Sequence, residues 1–523
     1  MVHGPLRGGP MTAERTERPR SFLVTATPPT TNGDLHLGHL SGPYLAADVF
    51  CRAQRMLGHT ALYVTGGDDH QSYVVTTARR LGVEPTELAA RCNRDIRETL
   101  RLADIAVDAF TTPDQAHRAH VRDFFAHLHR AGRLARRTWT FPYDQARGHH
   151  LLEGFAAGHC PECLAETCGA ICETCGHPNE PATLLYQTPS GAAEQTAIEH
   201  RQADILVLPL EDYRDRFEAY YTRRRATMRP HVVRFVEEML ARPLPDFPVS
   251  YPADWGIPVP VDGFPGQVLN VWAEMLPGLI HMAATARAEL APGRPAPDVW
   301  ARDSGYEVVQ FLGYDNTFYF AFAHLGLAFA HGGLTEPAAI LTNEFLHLEG
   351  AKFSTSRGHL IWARDLVTKH GADAVRFHLA LANPEHQPAD FSEKDFLTTL
   401  DTRLQRPLAA LHTALTTYDR PAPPDPTTTE VLGRYRDRMQ RAYALETFSL
   451  RQAAETTAHL LALLAGRVTT DPALALHGLR ALATWAAPLL PGLAGELRER
   501  YGTTEQDTGG GQDRGRGEVP ASW

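Results

Sequence analysis

SFLVTATPPTTNGDLHLGH, residues 21 to 39, decides how this chain folds. Ser21 to Thr27 is a short β-rich run, Pro28 and Pro29 end it, Asn32-Gly33 turns the chain, and apolar residues then recur at helical spacing from about Leu37 to Leu57. A second strand, Thr60 to Thr65, runs into Gly66-Gly67-Asp68-Asp69-His70. Strand, loop and helix in this rhythm predict an α/β fold, a parallel sheet with crossover helices whose ligand sites lie at the carboxyl ends of its strands. His36 and His39 fall three apart on the first helical turn, where free N–H groups and the dipole favour an anion. Such a pair suits a polyphosphate, or serves as caps.

Working outward, the rhythm breaks from about Arg137 to Ser250, which reads as an inserted domain. It resumes with Val268 to Trp272, and again with Val308 to Gly313 running into an apolar helix, Asn316 to Ala330. From Phe396 to Tyr501 helical spacing of Leu and Ala dominates, broken by Pro-rich Arg420 to Pro426. Residues 1–20 and 502–523 read as flexible tails.

The chain has 523 residues, 43% hydrophobic, enough for a large core and more than one domain. A net charge of −10 excludes a global basic field for nucleic acid, so any RNA contact must be local. Met1 to Arg20 has no apolar h-region and no long apolar run follows, so a soluble, cytoplasmic protein is expected, with no membrane partner. Five of seven cysteines lie between Cys160 and Cys175. Cys160-x2-Cys163 and Cys172-x2-Cys175 are two knuckles able to place four thiolates tetrahedrally around Zn²⁺. Cys168 reads as a spectator or a substitute ligand, and His159 and His177 flank the knuckles.

Of 51 basic residues, three are lysines, Lys352, Lys369 and Lys394, a scarcity that codon bias explains. Lys352 falls in Gly350-Ala-Lys-Phe-Ser-Thr-Ser-Arg-Gly358, a small-residue loop with two cations among three hydroxyls. It reads either as a surface turn or as a mobile loop that stabilises charge on a triphosphate.

Taken together, residues 25–39, GGDDHQ at 66–71, WGIPVP at 255–260, Val271-Trp272, QFLGYD at 310–315 and EGAKFSTSRG at 349–358 resemble, in order and spacing, the class I aminoacyl-tRNA synthetases, and among them the methionyl group. The resemblance runs from about Phe22 to Phe396. It implies a Rossmann-type catalytic domain in two halves, 21–136 and 251–345, an inserted connective domain with zinc knuckles at 137–250, a stem-contact region at 346–395 and a helical anticodon-binding-like domain at 396–501. It further implies that His36, Gly38 and His39 hold ATP phosphates, with Gly313 and Asp315 against the nucleoside. Lys352, Ser354, Ser356 and Arg357 would form the phosphate loop, His36, His39 and Lys352 acting in catalysis. Asp68 would take the amino-acid ammonium, with Pro28, Thr30, Trp272, Met275, Leu279 and Phe320 around the side chain. The implied reaction is attack of an amino-acid carboxylate on the α-phosphate of ATP with Mg²⁺, structural Zn²⁺ at the knuckles, and transfer to tRNA.

The sequence departs from that group at informative places. Pro28-Pro29-Thr30 stands for Leu-Pro-Tyr, Leu279 for an aromatic, Phe320 for a histidine and Thr355 for the second lysine of the loop. Ala410 and Ala414 occupy the anticodon-reading positions, and alanine offers neither stacking nor hydrogen bonds to a base. Three functions follow: a ligase charging tRNA, a paralogue passing the activated amino acid to a small-molecule amine, peptide or carrier protein, or a non-catalytic RNA-binding derivative.

Overall fold

A computed structural model describes residues 18–191, 197–290, 298–353, 358–416, 418 and 423–502. Five strands make a parallel sheet: β1 (Ser21–Ala26), β2 (Thr60–Gly66), β3 (Ala109–Thr111), β4 (Tyr306–Gly313) and β5 (Ala339–Asn343), in the order β5-β4-β1-β2-β3. Leu23 sits between Leu62 of β2 and Val308 of β4, and Ala26 pairs with Phe311. Both faces of this sheet are covered, which is why β1 is a continuous apolar run rather than an alternating one. The strand order reverses between β1 and β4, and sheets of this kind bind ligands in the crevice beyond such a reversal. The α/β class and the helical C-terminal portion expected from the sequence are the ones observed.

The helix after β1 is Leu37–His39, a π segment Leu40–Tyr44, then Leu45–Met56. Pro43 has no N–H to give, so the regular ladder cannot continue through it. Between β3 and β4 stands an antiparallel sheet of Asp246–Pro248, Ile198–Pro209, Ala135–Asp144 and His149–His150, paired in that order. A smaller sheet, Glu166–Thr167, Ala156–His159 and Leu185–Pro189, accompanies the cysteine segment. One expectation needs correction: Val268 to Trp272 does not resume the parallel rhythm. Gln267–Leu269 pairs antiparallel with Ser250–Pro252, and Val271 opens the helix Val271–Leu290 that packs on β2 and β3.

Helices Glu393–Leu400, Arg406–Leu415, Pro426–Tyr443, Leu450–Arg467, Pro472–Trp485 and Pro491–Tyr501 share one apolar core with Phe22, Val24 and Tyr63 of the sheet. Arg376, 1% exposed, fastens the two together: it donates to Asp48 at 2.7 Å, to the Asp104 carbonyl at 2.8 Å and to the carbonyls of Pro488 and Leu489 at 2.9 and 2.8 Å. Removing one member of a buried pair strands the other charge, at about 3–5 kcal/mol. Arg376→Met is therefore expected to lower the denaturation midpoint sharply, and an unchanged midpoint in chemical unfolding would show that the tie is not structural. Among the described residues, no helix is long and apolar enough to cross a membrane.

Candidate active site

Beyond the carboxyl ends of β1 and β4 opens a cavity of about 320 Å³. Pro28, Thr30, His36, Gly38, His39, Asp68, Trp272, Gly313, Asp315 and Lys352 all line it, so the structure brings together side chains more than three hundred residues apart in sequence.

His36 and His39 form a reciprocal cap. The backbone N–H of His39 donates to His36 Nδ1 at 3.4 Å, and that of His36 to His39 Nδ1 at 3.3 Å. The rings stack at 3.8 Å, and Phe353 covers His36 at 5.0 Å. Burial, with His39 and Lys352 adding to it, lowers His36 to about 2, and burial lowers His39 to about 4. Both rings are neutral near pH 7, and because each Nδ1 accepts, the single proton sits on Nε2 as a donor. Gly38 keeps the space beside His36 open, since a Cβ there would lie 3.0 Å from His36 Cε1 and press on the ring.

Asp68 is buried, and that burial raises its carboxyl well above the usual range, while Gln71 Nε2 donates to its Oδ2 at 2.8 Å. An ammonium placed beside it would restore the charged form. Asp315 is likewise raised to about 6, by burial first and then by Glu173, with Lys352 opposing. Gly313 leaves room for it: a Cβ would meet Asp315 Oδ1 at 2.6 Å. Lys352 pairs with Glu173 of the insertion, and its ammonium lies 4.3 Å over the Phe345 ring. Ser354, Ser356 and Arg357, with Thr355, lie outside the described residues.

Three expected pocket residues do not line the cavity. Met275, Leu279 and Phe320 are 5%, 0% and 0% exposed and belong to the apolar core under the sheet. The family positions carried over to them therefore fall in the core here, and the helix following β4 includes a π segment over Tyr319–His324. Tyr319 reaches the cavity instead, stacked on Trp272 at 3.8 Å with 4° between the planes, while His324 Nε2 lies 2.8 Å from the Trp272 carbonyl oxygen.

Sequence reasoning also missed Gln71, Glu153 and Glu173, all cavity-lining. Gln71 was available as the last residue of GGDDHQ, whereas the two glutamates come from an insertion with no periodic signal. Glu274, inside an apolar helix, was missed as well. It is 4% exposed, with His70 Nδ1 2.8 Å from its Oε2 and His117 Nε2 2.9 Å from its Oε1. Burial alone would raise this carboxyl, but the two histidines bring it down to about 2. A carboxyl depressed in the folded state stabilises the fold above its unfolded value near 4.5 and ceases to do so as pH falls toward about 2. Acid unfolding of the wild type is thus expected to gain a component between those limits that Glu274→Gln lacks, and superimposable acid titrations of the two proteins would contradict this.

The ligand atoms of Cys160, Cys163, Cys172 and Cys175 lie within 4.8 Å of one another. Cys160 and Cys175 sulfurs are 3.8 Å apart and Cys163 and Cys172 sulfurs 3.6 Å apart. Bonded disulfides span about 2.0 Å, whereas a tetrahedral Zn²⁺ with bonds of about 2.3 Å sets neighbouring sulfurs about 3.8 Å apart. The four thiols therefore fit Zn²⁺. Cys168 stands apart, 3.3 Å from the Tyr73 hydroxyl, and His159 and His177 face the Leu164 carbonyl and Arg242 instead.

Residues 22–413 match the family model of tRNA synthetases class I (M). The chain is 30% identical over 399 residues to a methionine–tRNA ligase of Roseiflexus sp. (strain RS-1), covering 74% of this chain and 66% of that protein. It is 32% identical over 384 residues to the methionine–tRNA ligase of Chlorobium limicola, covering 72% and 54%. The match thus spans between about half and two thirds of these relatives' length. In fold it is similar to Mycobacterium tuberculosis methionyl-tRNA synthetase in complex with methionyl-adenylate, with a TM-score of 0.74 at 19% identity over 93% of this chain and 95% of that one.

Proposed function

The chain belongs to the class I tRNA synthetases (M), and from that membership we propose that it activates an amino acid with ATP and transfers the acyl group to tRNA. One observation carries this: two neutral imidazoles offering Nε2–H, a lysine and a buried carboxyl converge on a single cavity at the sheet's topological reversal.

ATP enters as its Mg²⁺ complex. His36 and His39 donate to the phosphates without placing a full positive charge there, and Lys352, released from Glu173, meets charge that develops on the departing pyrophosphate. Asp68, its Oδ2 held by Gln71, takes the α-ammonium and leaves the carboxylate free to point at phosphorus. A carboxylate oxygen attacks the α-phosphorus, the bond to the β-phosphate oxygen breaks, and aminoacyl adenylate and pyrophosphate result. A terminal ribose hydroxyl then attacks the mixed anhydride and AMP leaves. Four thiolates would close a zinc coordination shell, so the knuckles carry structure and not chemistry.

A second acceptor is favoured by Ala410, which is exposed on the helix Arg406–Leu415 with nothing on its side chain to read a base. Transfer of labelled amino acid onto total tRNA separates the two. Charged tRNA is the expected result, and adenylate formation without any charged tRNA would move the reading to an amine, peptide or carrier acceptor.

A further inference from the structure

Four side chains lining the cavity hold a buried polar atom that has no hydrogen-bond partner among the described residues: Thr27 Oγ1, Gln71 Oε1, Glu153 Oε1 and the Tyr319 hydroxyl. Buried polar groups are paired in folded proteins, and each one left alone costs about 1–3 kcal/mol. Four around one cavity mark a place where a ligand supplies the partners.

Their chemistry is biased toward acceptance. The Gln71 amide nitrogen donates to Asp68, and its carbonyl oxygen is a buried acceptor without a partner. The Ser72 hydroxyl donates to Glu153 Oε2 at 3.4 Å, the Trp272 side chain hydrogen-bonds to the same carboxyl, and burial raises it to about 7, with Oε1 left without a partner. The two hydroxyls accept as readily as they donate. A complementary ligand is rich in N–H or O–H groups.

The α-ammonium of an amino acid accounts for part of this set, on the adenylation reading above. Its three N–H bonds are used at Asp68 and Gln71 Oε1. Thr27, Glu153 and Tyr319 remain, and of these Glu153 and Tyr319 are the two that touch Trp272. Tyr319 stands on the Trp272 wall, and Glu153, Asp68 and Tyr319 all line the one cavity. Glu153 is delivered by a turn of the insertion at a φ of +44°, a conformation few non-glycine residues adopt, and is 8% exposed.

We propose that Glu153 and Tyr319 form a polar subsite beside Trp272 that selects an amino acid whose side chain ends in an N–H or O–H donor, over a thioether or a hydrocarbon. A thioether sulfur is a weak acceptor and donates nothing, so methionine offers the Tyr319 O–H only a weak partner and leaves Glu153 Oε1 with none. Sites built to hydrogen-bond a substrate reject the analogue that lacks the group far more strongly than apolar pockets sort by size.

Calorimetric binding of amino acids to the full chain without ATP tests this with matched pairs: lysine against norleucine, glutamine against methionine, threonine against valine. In at least one pair the donor-bearing member is expected to bind at least about tenfold more tightly. Tyr319→Phe, which keeps the ring on Trp272, and Glu153→Gln are expected to shrink that ratio. Equal or tighter binding of the apolar member in all three pairs overturns the proposal, as does a ratio that neither variant moves, or no binding by any of the six. Donor-selective binding without ATP–pyrophosphate exchange supports the subsite and counts against adenylation. Exchange supported by methionine alone overturns the subsite and leaves adenylation standing.

Discussion

His39→Ala is expected to reduce amino-acid-dependent ATP–pyrophosphate exchange by about 10²–10³-fold, the usual effect of removing one preorganised donor from a site of developing charge. The loss has two parts. His39 supplies its own Nε2–H, and its Nδ1 accepts the backbone N–H of His36, while the bond from the residue 39 backbone N–H to His36 Nδ1 survives the substitution. Removing the imidazole also removes the 3.8 Å stacking partner of His36, so the second donor is held less firmly. Because burial holds the two rings at about 2 and about 4, neither changes charge between pH 5 and 8. Exchange in the wild type should consequently show no inflection from these histidines over that range. A His39→Ala protein with wild-type exchange would mean that the phosphates are held elsewhere.

The second large effect is expected at the knuckles. Cys172→Ser, or a strong chelator, should release near-stoichiometric zinc and unfold the cysteine lobe, because metal binding in such modules is folding energy, about 10–16 kcal/mol in isolated fingers. The consequence reaches the cavity. Cys168, Ala170 and Ile171 between the knuckles and Glu173 within the second one form part of its wall, and Glu173 holds Lys352. Limited proteolysis should then cut between residues 156 and 189, and exchange should fall with it. Native protein that carries no zinc, or a chelated protein as resistant to protease as the untreated one, would contradict this.

How far the sequence carried depended on whether a signal was local. The strand Ser21–Ala26, the turn and the paired histidines all lie within nineteen residues, and local spacing identified them. The cysteine knuckles were legible for the same reason. Residues whose role is set by distant packing were not. Glu274 sits in an apolar helix and acquires meaning only because His70 and His117 arrive from two other segments. Glu153 stands in Leu-Leu-Glu-Gly-Phe, an unremarkable string until the insertion folds back on the sheet. Phe320 was expected in the pocket because it stands where the resembled family has a histidine, and only the packing of the folded chain shows that its neighbour Tyr319 lines the cavity while Phe320 is in the core. Gln267–Leu269 has the residues of a sheet strand, but only its partner, Ser250–Pro252, makes it antiparallel.

The central claim is that this cavity forms an aminoacyl adenylate reversibly. Incorporation of labelled pyrophosphate into ATP by the purified chain, measured across a panel of proteinogenic and non-proteinogenic amino acids, tests it most directly. Exchange that requires at least one amino acid and collapses in Lys352→Ala is the predicted result. No exchange with any member of the panel, or exchange that Lys352→Ala leaves intact, would contradict it.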